Sequence, residues 1–313
     1  MRALLAFVLL ALPAAAQDWR PERPVTIINP YATGSSTDAM ARALAEAFTA
    51  DLAQSVVVVS RDGGSGVVGM RALAAPAPDG LTLAFSPLVP LVVQPHLLRG
   101  TGLGPDAVSP ICNVTENILG LMVRAESPFR GLPEMVAEAR RRPLTFGSPG
   151  PNSAPFLGVH RIQVAAGGEW VHAPFRGDAA SLTEVLAGRL DFAAIVVASG
   201  VPMARAGQTR LVAVFSERRH PEFPDVPTAR EQGVEAVQLS YAALFAPSGV
   251  PAHILDRWQL ACERAMRTEG FRTMAARWGV VPQFLPRADL TARLAREYAA
   301  TGRVLSDLGV RPE

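Results

Sequence analysis

Two stretches of this chain share one local order: a short β-rich run, a loop of small residues, then a helix-forming segment. In the first, Val25-Thr26-Ile27-Ile28 ends at Asn29-Pro30, passes through the loop Tyr31 to Asp38 and enters the Ala/Leu-rich stretch Ala39 to Asp51. In the second, Thr145-Phe146 runs into Gly147-Ser148-Pro149-Gly150-Pro151-Asn152-Ser153 and then a helical segment. Strands that alternate with helices predict an α/β architecture. Two such series predict two similar lobes whose loops face each other.

The rest of the chain fits that plan. Val56 to Val59 and Leu81 to Phe85 are continuous apolar runs of the kind a parallel strand buried on both faces produces. A second series opens near Met122: Leu132 to Arg142 reads as a helix with Pro133 in its first turn. Trp170 to Ala173, Phe192 to Val197 and Leu211 to Phe215 read as further buried strands. Near the C-terminus Ile254, Leu255, Trp258, Ala261, Cys262 and Ala265 fall on one face at helical spacing and are expected in a core. Arg287 to Leu308 is expected to be a closing helix that packs back on the first lobe.

The N-terminus predicts export. Arg2 precedes an apolar run from Ala3 to Leu12, followed by Pro13 and the small residues Ala14-Ala15-Ala16 before Gln17. A positive start, a short apolar core and an A-x-A site are what the secretory machinery reads, and the run is too short to span a bilayer. Residues 1–16 are therefore expected to be a signal peptide, leaving a periplasmic chain of 297 residues, 313 less 16.

Charge and composition remove several functions. Basic residues number 30 against 28 acidic ones, so nucleic acid is not an expected partner. Every basic residue is Arg, and a chain without Lys has neither a Walker-type phosphate loop nor a pyridoxal-phosphate Schiff base. The five histidines show no zinc-ligand spacing, and Gly63-Gly64-Ser65-Gly66-Val67 is neither a G-x-S-x-G elbow nor a G-x-G-x-x-G loop. The chain is thus expected to be no enzyme, with no catalytic residue, metal or cofactor. Cys112 and Cys262 admit either a disulfide or two separately buried thiols.

The two small-residue loops carry the chemistry that remains. At a helix N-terminus such a loop presents unpaired N–H groups and the positive end of the helix dipole, which suits an anion. Ordinary capping by Ser36, Thr37 or Ser153 explains either loop taken alone. Asp38, in the first turn of its helix, has a dipole rationale of its own, and Arg176 suits either a carboxylate or a surface salt bridge.

Taken in order, the segments resemble the substrate-binding receptors of tripartite tricarboxylate transporters, the Bug-type periplasmic family. Trp19 to Val25 is similar to the family's W-P-x-R-P-I opening, and Asn29 to Asp38 to its P-F-x-A-G-G-x-x-D loop. Arg61 to Gly69, Pro78 to Leu83, Pro95-His96-Leu97, His172 to Gly177, Pro224 to Thr228 and Ala246 to Pro251 follow further family segments. The resemblance implies a Venus-flytrap fold, periplasmic-binding-protein-like, in which residues 17–123 and 242–313 form lobe 1 and 124–241 form lobe 2. It implies a di- or tricarboxylate, amino acid or aromatic acid as ligand. It also implies delivery to the small and large membrane subunits of a transporter, with the receptor a monomer.

By the same carry-over, Tyr31, Thr33, Gly34, Ser35, Asp38 and Ser86 should line the ligand site from lobe 1. Ser148, Asn152, Ser153, Phe175, Arg176 and Asp191 should line it from lobe 2. The sequence departs from the family pattern at Ser35 and Asn152, where Gly is common, at Asp62, where Pro is common, and at Phe156, where His is common. Those positions bear on ligand identity. A sensing co-receptor for a membrane kinase shares all of these residues, and a secreted hydrolase is disfavoured by the missing nucleophile motif.

Overall fold

The structure is a computed structural model and describes residues 19–150, 153–175 and 177–312. The expected signal peptide lies outside the described residues, as do Asn152 and Arg176. In chain order the elements are β1 (Val25–Asn29), α1 (Ser36–Leu52), β2 (Val56–Ser60), α2 (Val67–Ala74), β3 (Thr82–Pro87), α3 (Val89–Val92), α4 (Gln94–Leu97) and β4 (Val108–Glu116). There follow β5 (Leu119–Arg124), α5 (Leu132–Ala139), β6 (Leu144–Ser148), α6 (Ala154–Ala166), β7 (Trp170–Pro174), α7 (Asp178–Leu186), β8 (Phe192–Val196), α8 (Val197–Arg205) and β9 (Thr209–Val214). The chain closes with β10 (Tyr241–Pro247), α9 (Ala252–Arg267), α10 (Glu269–Trp278), β11 (Val281–Pro286) and α11 (Arg287–Asp307).

Two sheets result, ordered β11-β4-β10-β3-β1-β2 and β7-β6-β8-β5-β9. β1, β2 and β3 are mutually parallel, as are β6, β7 and β8, so each sheet holds the βαβ units that the loops predict. The chain crosses between the sheets at Asn117-Ile118 and again between Phe215 and Ser240, and the Asn117 N–H donates to the Ser240 carbonyl at 2.6 Å. The first crossing falls before the expected boundary at 123/124, because Leu119–Arg124 pairs with β8 and β9. This two-lobed arrangement is the Venus-flytrap fold.

Each sheet has its own core. Phe48, Trp258 and Phe271 pack with Leu83, Ile111 and Leu244 in the first lobe; Phe146, Phe192 and Phe215 pack with Leu121 and Met135 in the second. The apolar face expected around Trp258 is that buried face of α9. Cys112 of β4 and Cys262 of α9 form a disulfide, settling the open alternative in favour of a bridge. The expectation for Val56 to Val59 is corrected: β2 is an edge strand, and Val57 and Val59 are 44% and 38% exposed. β7 is likewise an edge, with Val171 exposed. α11 packs on the first lobe through Leu290 and Leu294, but its last turns reach Leu157 of α6 in the second through Val304 and Leu305.

Candidate functional site

In open α/β sheets the space outside the carboxyl ends of parallel strands is where ligands bind, because loops there lead into helix N-termini. β1 and β3 of one lobe and β6, β7 and β8 of the other all end this way, feeding α1, α3, α6, α7 and α8.

In lobe 1 the loop Tyr31–Ser35 is held from within. The Ser35 hydroxyl caps α1 by accepting from the Asp38 N–H at 3.2 Å. Asp38 is only 3% exposed and its carboxylate is spent on its own loop: Oδ2 accepts from the Gly34 N–H and from Arg42 Nε, each at 3.0 Å, and Oδ1 from Ser60 at 3.4 Å. Burial alone would raise its pKa, but the Arg42 guanidinium and the Gly34 amide hold the carboxyl below the usual range. Gly34 has φ +84°, a conformation that suits glycine. Thr33 donates to Ser60 at 3.1 Å, and the Tyr31 hydroxyl reaches the Ser65 carbonyl at 3.3 Å. The N–H groups of Ser36 and Thr37 have no acceptor among the described residues and remain for a ligand or water. Ser86, next to last in β3, is fully buried, with its hydroxyl turned to the Pro87 carbonyl at 2.7 Å.

In lobe 2 the matching loop carries no carboxylate. Ser148, fully buried, stands 2.8 Å from His172 Nε2, 3.3 Å from the Ser153 hydroxyl and 3.2 Å from the Gly150 carbonyl. Ser153 caps α6, and the Phe175 N–H donates to the Ser148 carbonyl at 2.9 Å, tying the β7–α7 loop to this one. Burial lowers the pKa of His172, which packs between Phe146 and Phe156 at 4.9 and 4.7 Å, so the ring favours its neutral form. Phe156, one of the departures from the family pattern that the resemblance marks, thus joins an aromatic cluster behind the loop.

Asp191 requires a correction. It precedes β8 and therefore sits at the amino end of the sheet, where its carboxylate takes Arg142 Nη2 at 2.8 Å and the Thr145 N–H at 2.7 Å. That is the opposite edge from Ser148. Sequence reasoning missed Asp178, at the start of α7, whose Oδ2 accepts from Ser199 at 2.8 Å and from the Val196 N–H at 3.3 Å. Burial pushes this carboxyl up despite both hydrogen bonds. Its position right after a strand, at a helix start, was a usable signal.

Of the cavities walled by both lobes among the described residues, two border these loops. One, of about 600 Å³, is walled by Ser36 of α1, Asn117 of the crossing, Ser199 of α8 and Trp278 of α10. The other, of about 280 Å³, lies between Leu88–Leu97 on one side and Pro149, Ser153, Ala154 and Leu157 on the other, with Gln238 and Glu297 also in its wall. Of the expected site residues, Ser153 lines a cavity wall; Tyr31, Thr33, Gly34, Ser35, Ser148 and Phe175 shape the loops beside it.

Two lobes, two crossings and facing helix N-termini define a solute-binding protein of the flytrap class. A solute-binding protein of the TctC type from Polaromonas, solved without ligand, superposes with a TM-score of 0.87 at 25% identity, covering 92% of this chain and 99% of that one. MatC from Rhodopseudomonas palustris, solved with bound malate, gives a TM-score of 0.67 at 25% identity, covering 91% and 99%. Among curated proteins, a UPF0065 protein encoded in the gbd 5′ region of Cupriavidus necator is 30% identical over 311 residues, covering 98% of this chain and 94% of its own. The family model described as tripartite tricarboxylate transporter family receptor matches residues 40–310. The chain belongs to that family, as a Bug-type receptor.

Proposed function

We propose that the protein is an exported, periplasmic receptor that captures a small organic acid between its lobes and delivers it, without catalytic turnover, to the small and large membrane subunits of a tripartite transporter. The observation that carries this reading is the presence of two small-residue loops at the N-termini of α1 and α6, one on each lobe, each bordering a cavity walled by both lobes. Partial positive charge at such termini favours an anion. Closure of the lobes on the bound acid would supply the signal the membrane subunits recognise. Family membership and the malate bound by MatC support a carboxylate as ligand.

A thermal-shift screen of the ligand-stripped protein against carboxylates, amino acids and aromatic acids tests this. An acid that binds only the folded state at 100-fold its Kd adds about 2.7 kcal/mol and raises Tm. No shift with any acid, on protein shown to be folded, sinks the proposal.

A further inference from the structure

α11 is fastened to one lobe and reaches the other. Leu290 and Leu294, near its start, are buried in the lobe 1 core with Tyr241 and Phe245. Between them Arg293 pins the helix to the ends of both crossings: it pairs at 2.8 Å with Glu116, the last residue of β4, and lies 4.2 Å over the ring of Tyr241, the first residue of β10. Arg293 is buried, and a buried pair of this kind is costly to break. α11 therefore moves with lobe 1. Its last turns nevertheless pack on lobe 2: Val304 and Leu305 are buried against Leu157 of α6 in a cluster of their own, with Val93 and Leu97 of lobe 1 and Phe156 of lobe 2 packed around them.

We propose that this cluster is an apolar clasp that holds the lobes together before any ligand arrives and so sets how often the cleft opens. Because α11 travels with lobe 1 and α6 with lobe 2, parting the lobes at this edge pulls Leu157 away from Val304 and Leu305 and exposes all three to water. Apolar surface that is wet only in the open form favours the closed one. Such contacts are non-directional, so the two helices can separate and re-engage without matching donors to acceptors. The clasp is also joined to the loop at the start of α6, since Phe156 stands 4.7 Å from His172, the ring hydrogen-bonded to Ser148. A ligand that prefers the closed form then has less of the equilibrium left to shift.

Double electron–electron resonance on the ligand-free protein tests this, with nitroxides on Leu260→Cys of α9 and Val164→Cys of α6, an exposed site on each lobe. The native cysteines are joined to each other and take no label. Leu157→Ala and Leu305→Ala, made one from each side of the contact, should each raise the population at the longer interlobe distance about tenfold. Leu305→Met, which keeps the apolar reach, should leave the wild-type distribution in place. Both leucines lie outside the two main lobe cores, so each alanine variant checks the other if one folds poorly. Distance distributions that superimpose on the wild-type one, or a shift as large from Leu305→Met as from Leu305→Ala, overturn the proposal. The readout uses no ligand, so that outcome leaves the receptor reading standing, and a thermal screen in which no acid responds leaves the clasp standing.

Discussion

The loops that open the two lobes look alike in sequence and differ in charge. In the first, Asp38 fills its own loop, taking the Gly34 N–H and the Arg42 guanidinium at 3.0 Å each. In the second, Ser148, His172 and Ser153 form a neutral hydroxyl and imidazole chain behind the α6 N-terminus. On the receptor reading, a carboxylate arriving between them would meet a helix terminus whose own carboxylate is already paired with Arg42 on one side and only neutral dipoles on the other. Lobe 1 is thereby read as the rigid platform and lobe 2 as the anchor for the acid's charge. The disulfide sharpens the contrast, because Cys112 and Cys262 staple lobe 1 alone.

If that division holds, the largest effect on folding comes from the staple. Replacing both cysteines by alanine should lower stability by about 2–5 kcal/mol, since the bridge closes a long loop, and chemical denaturation with ligand present and absent should show the loss in both cases. An unchanged midpoint would mean that the lobe 1 core does not depend on the bridge.

Asp38→Asn should cost about 1–3 kcal/mol by weakening charge-assisted hydrogen bonds inside the platform. The sign of its pH dependence follows from the lowered pKa: the native state holds the ionised form, so this stability is present at neutral pH and is lost as pH falls below the ordinary carboxylate value, near 4, toward the folded one. Acid titration of wild type and Asp38→Asn should therefore converge at low pH. Curves that stay parallel would assign the carboxylate no such role.

Ser148→Ala should act on binding more than on folding, weakening the acid about five- to tenfold as the chain from His172 to Ser153 is cut. Calorimetry measures it, and an affinity unchanged by the substitution would move the anchor away from lobe 2. Asp191→Asn is expected to have the smallest effect. It loosens the ion pair with Arg142 at the far edge of the sheet and costs about 1 kcal/mol or less, with ligand affinity untouched. A change in affinity there would contradict the placement of the site.

The strands and long helices were legible because hydrophobic spacing and small-residue loops are local signals. α9 shows this: its buried face is the one that spacing marks, from Ile254 to Ala265. What the spacing does not carry is neighbourhood. Val56 to Val59 is apolar throughout, yet β2 lies at an edge because no strand follows it in the sheet order. Asp191 was drawn into the site by resemblance, although a residue before a strand lies at the wrong end of a parallel sheet. Glu297 gave no signal at all: only the packing of α11 across both lobes brings it into the wall of the cavity between α3 and α6.

The most direct test of the account is a crystal structure of the protein with the acid that the thermal screen selects. The account predicts closed lobes with the carboxylate within hydrogen-bond distance of the Ser153 hydroxyl and the Ala154 N–H. A carboxylate seated on the Ser36 and Thr37 amides alone, with only apolar atoms at the α6 N-terminus, would contradict it.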